Sequence, residues 1–263
     1  MRRHDFLRRL HKVYKPRNYL EIGVNDGRSL TLSRVPTVAI DPAFKVVTSI
    51  SCDVHLVKAT SDAFFTRKDP LLHLRPGRNP FRALARRDPL ALVGDPKLEL
   101  SFIDGMHLFE YALRDFMNVE KHSRWSSVIV LDDMLPRNVD EAARDRHTGD
   151  WTGDVFKVAQ VLRRHRPDLL VVDVDSAPTG VVVIFGADPD STVLRDNYDA
   201  ILEEYITADP QEIPDEILVR KNAVDPEILL NADFWPALAR ARNLRRPRSA
   251  FAGLRKQIEA VTG

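Results

Sequence analysis

The sequence predicts an α/β fold built on a mostly parallel sheet, and three observations carry that expectation. Short apolar runs of strand length alternate with segments of helical spacing. Several of those runs end in an acid, and the first leads straight into a glycine-bearing turn, Glu21-Ile-Gly-Val-Asn-Asp-Gly-Arg-Ser29. In an open parallel sheet, ligands collect outside the carboxyl ends of the strands, so acids placed there are the first candidates for function.

Residues 2 to 13 read as a basic amphipathic helix, with Phe6, Leu7, Leu10 and Val13 at helical spacing, able to cap the sheet. Tyr19, Leu20 and Ile22 end a buried strand. Gly23 and Gly27 can adopt backbone angles closed to other residues, a helix is expected to open from Arg28, and bare backbone lets a ligand approach. The turn lacks the three glycines of a dinucleotide fingerprint and carries Glu21 two positions before its first glycine, which suits a cationic ligand. A glycine turn in some other α/β domain is the competing reading.

The second strand, Thr37-Val-Ala-Ile40, ends in Asp41, 20 residues after Glu21 and close to the spacing of a ribose-binding carboxylate. Such a group can accept hydrogen bonds from two vicinal hydroxyls; a solvated strand-end Asp is the alternative. The third, His55-Leu-Val-Lys-Ala59, leads into Thr60-Ser61-Asp62, which is polar at a strand end and equally an ordinary helix N-cap.

Two later strands form the strongest constellation: Leu100-Ser-Phe-Ile-Asp104-Gly-Met106-His107 and Val128-Ile-Val-Leu-Asp132-Asp133. Adjacent parallel strands would bring Asp104, Asp132 and Asp133 to one edge, where three carboxylates repel unless a cation joins them. Oxygen ligands with room for water and hydroxyls suit Mg²⁺ better than Zn²⁺.

The stretch Phe102-Ile-Asp-Gly-Met-His-Leu-Phe-Glu110, the run Arg114-Asp-Phe-Met-Asn-Val-Glu120 and the Asp132-Asp133 pair resemble the TylF-like, metal-dependent sugar O-methyltransferases and their broader relatives. With the first turn, which resembles the first motif of class I S-adenosylmethionine methyltransferases, the similarity covers roughly residues 17 to 186. It implies a Rossmann-like class I methyltransferase fold, seven-stranded, with six parallel strands and one antiparallel. It also implies S-adenosylmethionine around Glu21, Gly23, Gly27, Ser29, Asp41, Ser61, Asp62 and Asp104, and Mg²⁺ on Asp104, Asp132 and Asp133. Some relatives place a second acid two residues after the first, as the proposed base; here that position is Met106, so the assignment does not transfer.

A metal would serve such chemistry because an alcohol is nearly as weak an acid as water, whose pKa is ~15.7. Removing its proton at pH 7 costs on the order of 11 to 12 kcal/mol, at about 1.36 per unit. Coordination to Mg²⁺ acts as Lewis acid catalysis and positions the oxygen for the sulfonium methyl. His107 and His147 are the candidate bases, since an unperturbed imidazole accepts a proton at neutral pH. His107 equally reads as a helix cap, and His147 as an exposed loop residue. Trp151-Thr-Gly-Asp154 also resembles the group: Trp151 and Asp154 would border the acceptor pocket, with Trp151 stacked on a sugar face or instead anchoring a loop on the core.

With 263 residues, 44% of them hydrophobic, the chain can bury a sizeable core, and a net charge of +1 gives no general reason to expect nucleic acid or a membrane surface. There is no run of 18 apolar residues and no secretory signal pattern, so a cytoplasmic protein is expected. Cys52, the only cysteine, has no partner for an internal disulfide or a zinc site.

Residues 1–188 are expected to form the methyltransferase domain, closed by strands at Leu169–Val174 and Thr179–Phe185, and 189–263 a helical extension serving as a lid or homo-oligomer contact. That extension lies outside the resemblance; helices are expected from Val193 to Tyr205, Phe234 to Ala241 and Phe251 to Val261. The segment from about 66 to 97 carries five net positive charges and reads as a lid, an oligomer contact, a docking surface for an anionic acceptor, or a solvated loop. The function implied is methyl transfer to a hydroxyl of a small saccharide or glycoside, such as a precursor of a methylated mannose or glucose polymer. A phenol or catechol O-methyltransferase and a catalytically idle cofactor-binding assembly protein are the alternatives. Amino-group methylation of nucleic acid lacks its Asn-Pro-Pro-Tyr type motif after the fourth strand.

Overall fold

The computed structural model describes residues 1–75 and 96–263. Most of the basic segment expected at 66–97, including Arg78, Arg82, Arg86, Arg87, Asp88 and Asp95, lies outside the described residues.

Seven strands, β1 (Tyr19–Ile22), β2 (Thr37–Ile40), β3 (Val54–Val57), β4 (Leu100–Ile103), β5 (Val128–Asp132), β6 (Leu170–Val174) and β7 (Val181–Phe185), form one sheet in the order β3-β2-β1-β4-β5-β7-β6. β7 runs antiparallel to both neighbours and the other six strands are parallel, as expected. Register fixes the functional edge. Ile22 pairs with both Ile40 and Ile103, and Ile103 pairs with Leu131, so Gly23, Asp41, Asp104 and Asp132 each sit one residue past the same level. The chain reverses its strand order between β1 and β4, the place where an open α/β sheet leaves a crevice.

Both faces of the sheet are covered, and its central strands are mostly apolar; β1, β2, β4, β5 and β7 are buried along their whole length. On one face lie the helices Phe109–Lys121 and Lys157–His165, whose apolar residues recur every three or four positions: Phe109, Leu113 and Phe116 on the first, Val158 and Leu162 on the second. On the other, helix α1 (Arg3–Tyr14) buries Phe6, Leu7, Leu10 and Tyr14 with Trp235, Leu238 and Ile258 against Leu100, Val128 and Val183. Each such side chain contributes roughly 1.5–3 kcal/mol on burial.

The C-terminal residues use both faces. Ile201, in the helix Tyr198–Tyr205, joins the first core, whereas Phe234–Asn243 and Phe251–Thr262 complete the second. Among the described residues no helix is long and apolar enough to cross a membrane.

Apart from shifts of one or two residues at element ends, three elements differ from expectation. The helix expected from Arg28 is only a 3-10 turn, Leu30–Leu32, because just Arg28 to Pro36 separate Gly27 from β2. β3 stops at Val57, since Thr60 is taken by the N-cap of Ser61–Phe65. The helix expected across Val193–Tyr205 breaks at Asn197, whose side-chain amide donates to the Val193 carbonyl at 2.8 Å.

Candidate active site

The turn after β1 is held from beneath and from the side by carboxylates. Glu21 is completely buried and accepts hydrogen bonds from Tyr19 Oη at 2.7 Å and Ser29 Oγ at 2.8 Å. Burial pushes its carboxyl up to about 8, against the lowering effect of those two bonds. Asp41 Oδ2 accepts from the Val24 and Asn25 amides at 2.9 and 2.8 Å, and Oδ1 from the Ala43 amide at 2.6 Å. A carboxylate offers about four lone-pair sites, so Asp41 pins the turn and retains one site, on Oδ1, for a further donor.

Gly23 has φ +87°, and a Cβ there would lie 1.7 Å from the Asp104 carbonyl oxygen. A side chain is excluded on both grounds, and the turn after β1 therefore packs directly on the loop after β4. Gly27, also at positive φ, faces Thr48 in the same way.

Beyond β4 and β5 the acids meet. One ligand atom each from Asp104, His107 and Asp133 lie within 4.8 Å of one another. His107 Nε2 is 3.2 Å from Asp104 Oδ1, and Nδ1 is 3.4 Å from Asp133 Oδ2 and 2.8 Å from the Trp151 carbonyl. A carbonyl only accepts, so Nδ1 carries a proton. Burial opposes the imidazolium, but the hydrogen bond to Asp104 and the charges of Asp133 and Asp104 outweigh it and raise the pKa to about 9. In this arrangement His107 is a donor at neutral pH rather than the neutral acceptor its residue type suggests.

Asp133 has φ +60°, a conformation that Asp tolerates better than most residues, and it is also hydrogen-bonded by Thr179 Oγ1. Burial, reinforced by Asp104, pushes its carboxyl up to about 6. Asp132 is turned differently: its carboxylate is ion-paired with Arg3 at the start of α1, and Arg3 Nη1 also lies 3.4 Å from Asp104 Oδ2. Two hard carboxylate donors, with a third carboxylate beside them, fit a divalent cation in charge and donor type. Asp104 and Asp133 would hold it, with His107 adjoining.

The loop carrying Trp151 forms one wall of this cluster. The Trp151 ring stacks on His107, its Nε1 donates to the Ala143 carbonyl at 2.6 Å, and Arg146 lies 5.7 Å from its centroid. Asp154 is fully buried. It accepts from the Phe109 amide at 2.8 Å and Arg144 Nη1 at 2.6 Å, with Lys157 Nζ at 3.4 Å, so it ties this loop to the helix that follows β4. His147 lies on an exposed part of the loop beside Asp140, with Nδ1 2.8 Å from the Asp145 carbonyl; it is not among the residues that gather at Asp104.

Ser61 and Asp62 begin the short helix after β3. Ser61 hydrogen-bonds Asp115, and Asp62 pairs with Arg114 at 3.0 Å. Sequence reasoning missed two residues here. Asp115 lies on the buried stripe of its helix, with Oδ2 3.0 Å from where a Gly105 Cβ would be, and burial pushes its carboxyl up to about 7. The available signal was an acid in register with Ala112 and Val119. Arg3 had no such signal, because the basic helix start carries several arginines and only the fold selects one.

No family model matches the chain, and no curated protein matches it in sequence. Solved structures similar to it include an O-methyltransferase from Bacillus cereus in complex with S-adenosylhomocysteine, at 16% identity over 70% of this chain and 80% of that one, with a TM-score of 0.40. The O-methyltransferase TomG from Streptomyces achromogenes, solved with S-adenosylmethionine, is 18% identical over 70% and 79%, with a TM-score of 0.40. MycE from the mycinamycin pathway, solved with Mg, S-adenosylhomocysteine and mycinamycin VI, is 15% identical; the match spans 83% of this chain and 54% of MycE, with a TM-score of 0.40.

Proposed function

We propose that this protein is an S-adenosylmethionine- and Mg²⁺-dependent O-methyltransferase acting on a sugar hydroxyl of a small saccharide or glycoside. The observation that carries the reading is the convergence, at the switch point of the sheet, of the Gly23 turn pinned by Asp41 with the Asp104–His107–Asp133 cluster. The preference for a sugar comes from the resemblance of the 102–120 segment and the Asp pair to sugar O-methyltransferases.

In this reading the turn after β1 and the loop after β4 form the cofactor's floor, and the free lone pair on Asp41 Oδ1 takes a ribose hydroxyl. Asp104 and Asp133 present oxygens to Mg²⁺, which supplies Lewis acidity to the acceptor hydroxyl when bound. His107 orients Asp104 by donating to it from Nε2 and lies beside Asp133 as an ion pair, and it is placed to take the acceptor's proton once its own has been lost. Trp151 keeps that imidazole fixed and excludes water from one side of it.

Calorimetric titration with S-adenosylmethionine and S-adenosylhomocysteine, each with Mg²⁺ or chelator, tests the reading in the wild type and in Asp104→Ala. Saturable cofactor binding is expected, followed by methyl transfer to sugars that stops with chelator. Absence of cofactor binding in every condition overturns it. Turnover on phenols and not on sugars would assign the same site to a catechol-type acceptor; cofactor binding without metal-dependent turnover on either class would favour an assembly role.

A further inference from the structure

The N-terminal helix places one cation where the proposed site needs another. Arg3 pairs with Asp132, whose side chain is 2% exposed, and reaches Asp104 as well, so a single guanidinium spans two of the three strand-end carboxylates. The backbone there is fixed independently: the Arg3 amide donates to the Ala177 carbonyl at 3.1 Å, and the Ala177 amide to the Met1 carbonyl at 2.8 Å. Four buried residues, Phe6, Leu7, Leu10 and Tyr14, hold the body of the helix. The Arg3 side chain is itself 27% exposed, so it has an outward path that requires no unfolding of the helix.

The charges argue that this contact and a bound metal are exclusive. Asp104, Asp132 and Asp133 carry three negative charges at neutral pH when ionised, answered by Arg3 and by His107 if protonated. A dication held by Asp104 and Asp133 would lie next to the guanidinium and repel it, while a departing guanidinium would leave the buried Asp132 without a counter-charge unless a cation arrived. Each event makes the other favourable.

We propose that Arg3 and a divalent cation are alternative occupants of the Asp104–Asp132–Asp133 carboxylates, so that Arg3 holds the metal-free site together and swings out as metal loads. The proposal rests on the metal reading above. It makes the start of the N-terminal helix an autoinhibitory contact whose release accompanies metal binding. Affinity for metal is then set partly by the arginine it displaces.

The test is calorimetric titration of Mn²⁺ into the full chain as wild type, Arg3→Gln and Arg3→Lys, with S-adenosylhomocysteine titrated in parallel. Arg3→Gln is expected to bind Mn²⁺ about tenfold more tightly, equivalent to about 1.4 kcal/mol, with Arg3→Lys closer to wild type and cofactor affinity unchanged. Equal or weaker Mn²⁺ binding by Arg3→Gln, alongside binding by the wild type, overturns the exchange and leaves the metal reading standing. Absence of Mn²⁺ binding in all three, with cofactor binding retained, overturns both. A measurement on the wild type alone covers the case of a misfolded variant. The Arg3 Nη protons, whose Nη1 pairs with Asp132 and Asp104 in the metal-free protein, should exchange and rotate faster at saturating Mg²⁺; an unchanged signal rejects the exchange.

Discussion

His107 and Trp151 lie face to face, with ring planes 13° apart and centroids separated by 5.1 Å, while the Trp151 carbonyl stands 2.8 Å from His107 Nδ1. One residue thus fixes both the plane of the imidazole and one of its two N–H donors, Nδ1. Residues that orient a ligand sphere from behind typically cost about 10–100-fold in metal affinity when removed. Trp151→Ala should therefore weaken Mn²⁺ binding at least about tenfold, whereas Trp151→Phe, which keeps an aromatic face, should lose much less. Parallel titrations of the two variants decide this, and equal affinities would mean that the ring does not position His107.

Gly153 is the hinge of that same wall. Its φ is +60°, and a Cβ would fall 1.6 Å from the His107 carbonyl oxygen, whereas a Cβ on Gly149 meets nothing within 4 Å. Gly153→Ala should destabilise the fold by on the order of 2 kcal/mol or more, with Gly149→Ala close to neutral. Differential scanning calorimetry of the pair checks it; similar melting temperatures would show that the loop yields without strain.

Glu21 makes stability depend on pH. The folded chain keeps a proton on this carboxyl up to about pH 8, while an ordinary glutamate loses it near 4.5. Between those values unfolding releases a proton, so Glu21's contribution is full below about 4.5 and disappears as pH rises through about 8. Its share of the slope approaches about 1.4 kcal/mol per pH unit. In Glu21→Gln the amide cannot ionise, and urea midpoints measured from pH 5 to 9 should decline less steeply than in the wild type. Parallel profiles would place the buried proton elsewhere.

Asp154 is a buried anion with two cationic neighbours. Replacing it by Ala leaves Arg144 with Glu110 as its remaining carboxylate, leaves the buried Lys157 with neutral acceptors alone, and leaves the Phe109 amide without its acceptor. The expected loss is about 3–5 kcal/mol, visible as a large shift in the denaturation midpoint. Asp154→Asn, which keeps an acceptor for the amide but not the charge, should fall between. A loss confined to acceptor KM, with stability intact, would instead favour a pocket role for Asp154.

The sheet was legible because its central strands are buried on both faces and two of them are spelled in unbroken aliphatic runs, Val128-Ile-Val-Leu and Val181-Val-Val-Ile. The acids at their ends followed from that same punctuation. What sequence could not separate was the several uses of a carboxylate. Asp41 and Glu21 occupy the expected positions, yet both bond the chain itself, and Asp154 is spent within the fold. Of the two carboxylates that raise the pKa of His107, Asp104 is three residues away, but Asp133 is not close in sequence, and neither is the arginine that pairs with Asp132; Asp133 and Arg3 reach these partners only through the fold. The helix expected from Arg28 failed for a local reason, too few residues before Pro36.

The packing of helix α1 against Trp235, Leu238 and Ile258 joins segments more than two hundred residues apart. During synthesis the α1 stripe can meet the strands of its own sheet first, but the part covered by Trp235, Leu238 and Ile258 waits for almost the whole remaining chain. Contacts of such sequence separation close slowly and leave sticky intermediates exposed. A nascent chain stalled before residue 234 should therefore lean on a chaperone, even though the strands that end in the carboxylates paired with Arg3 have already been made.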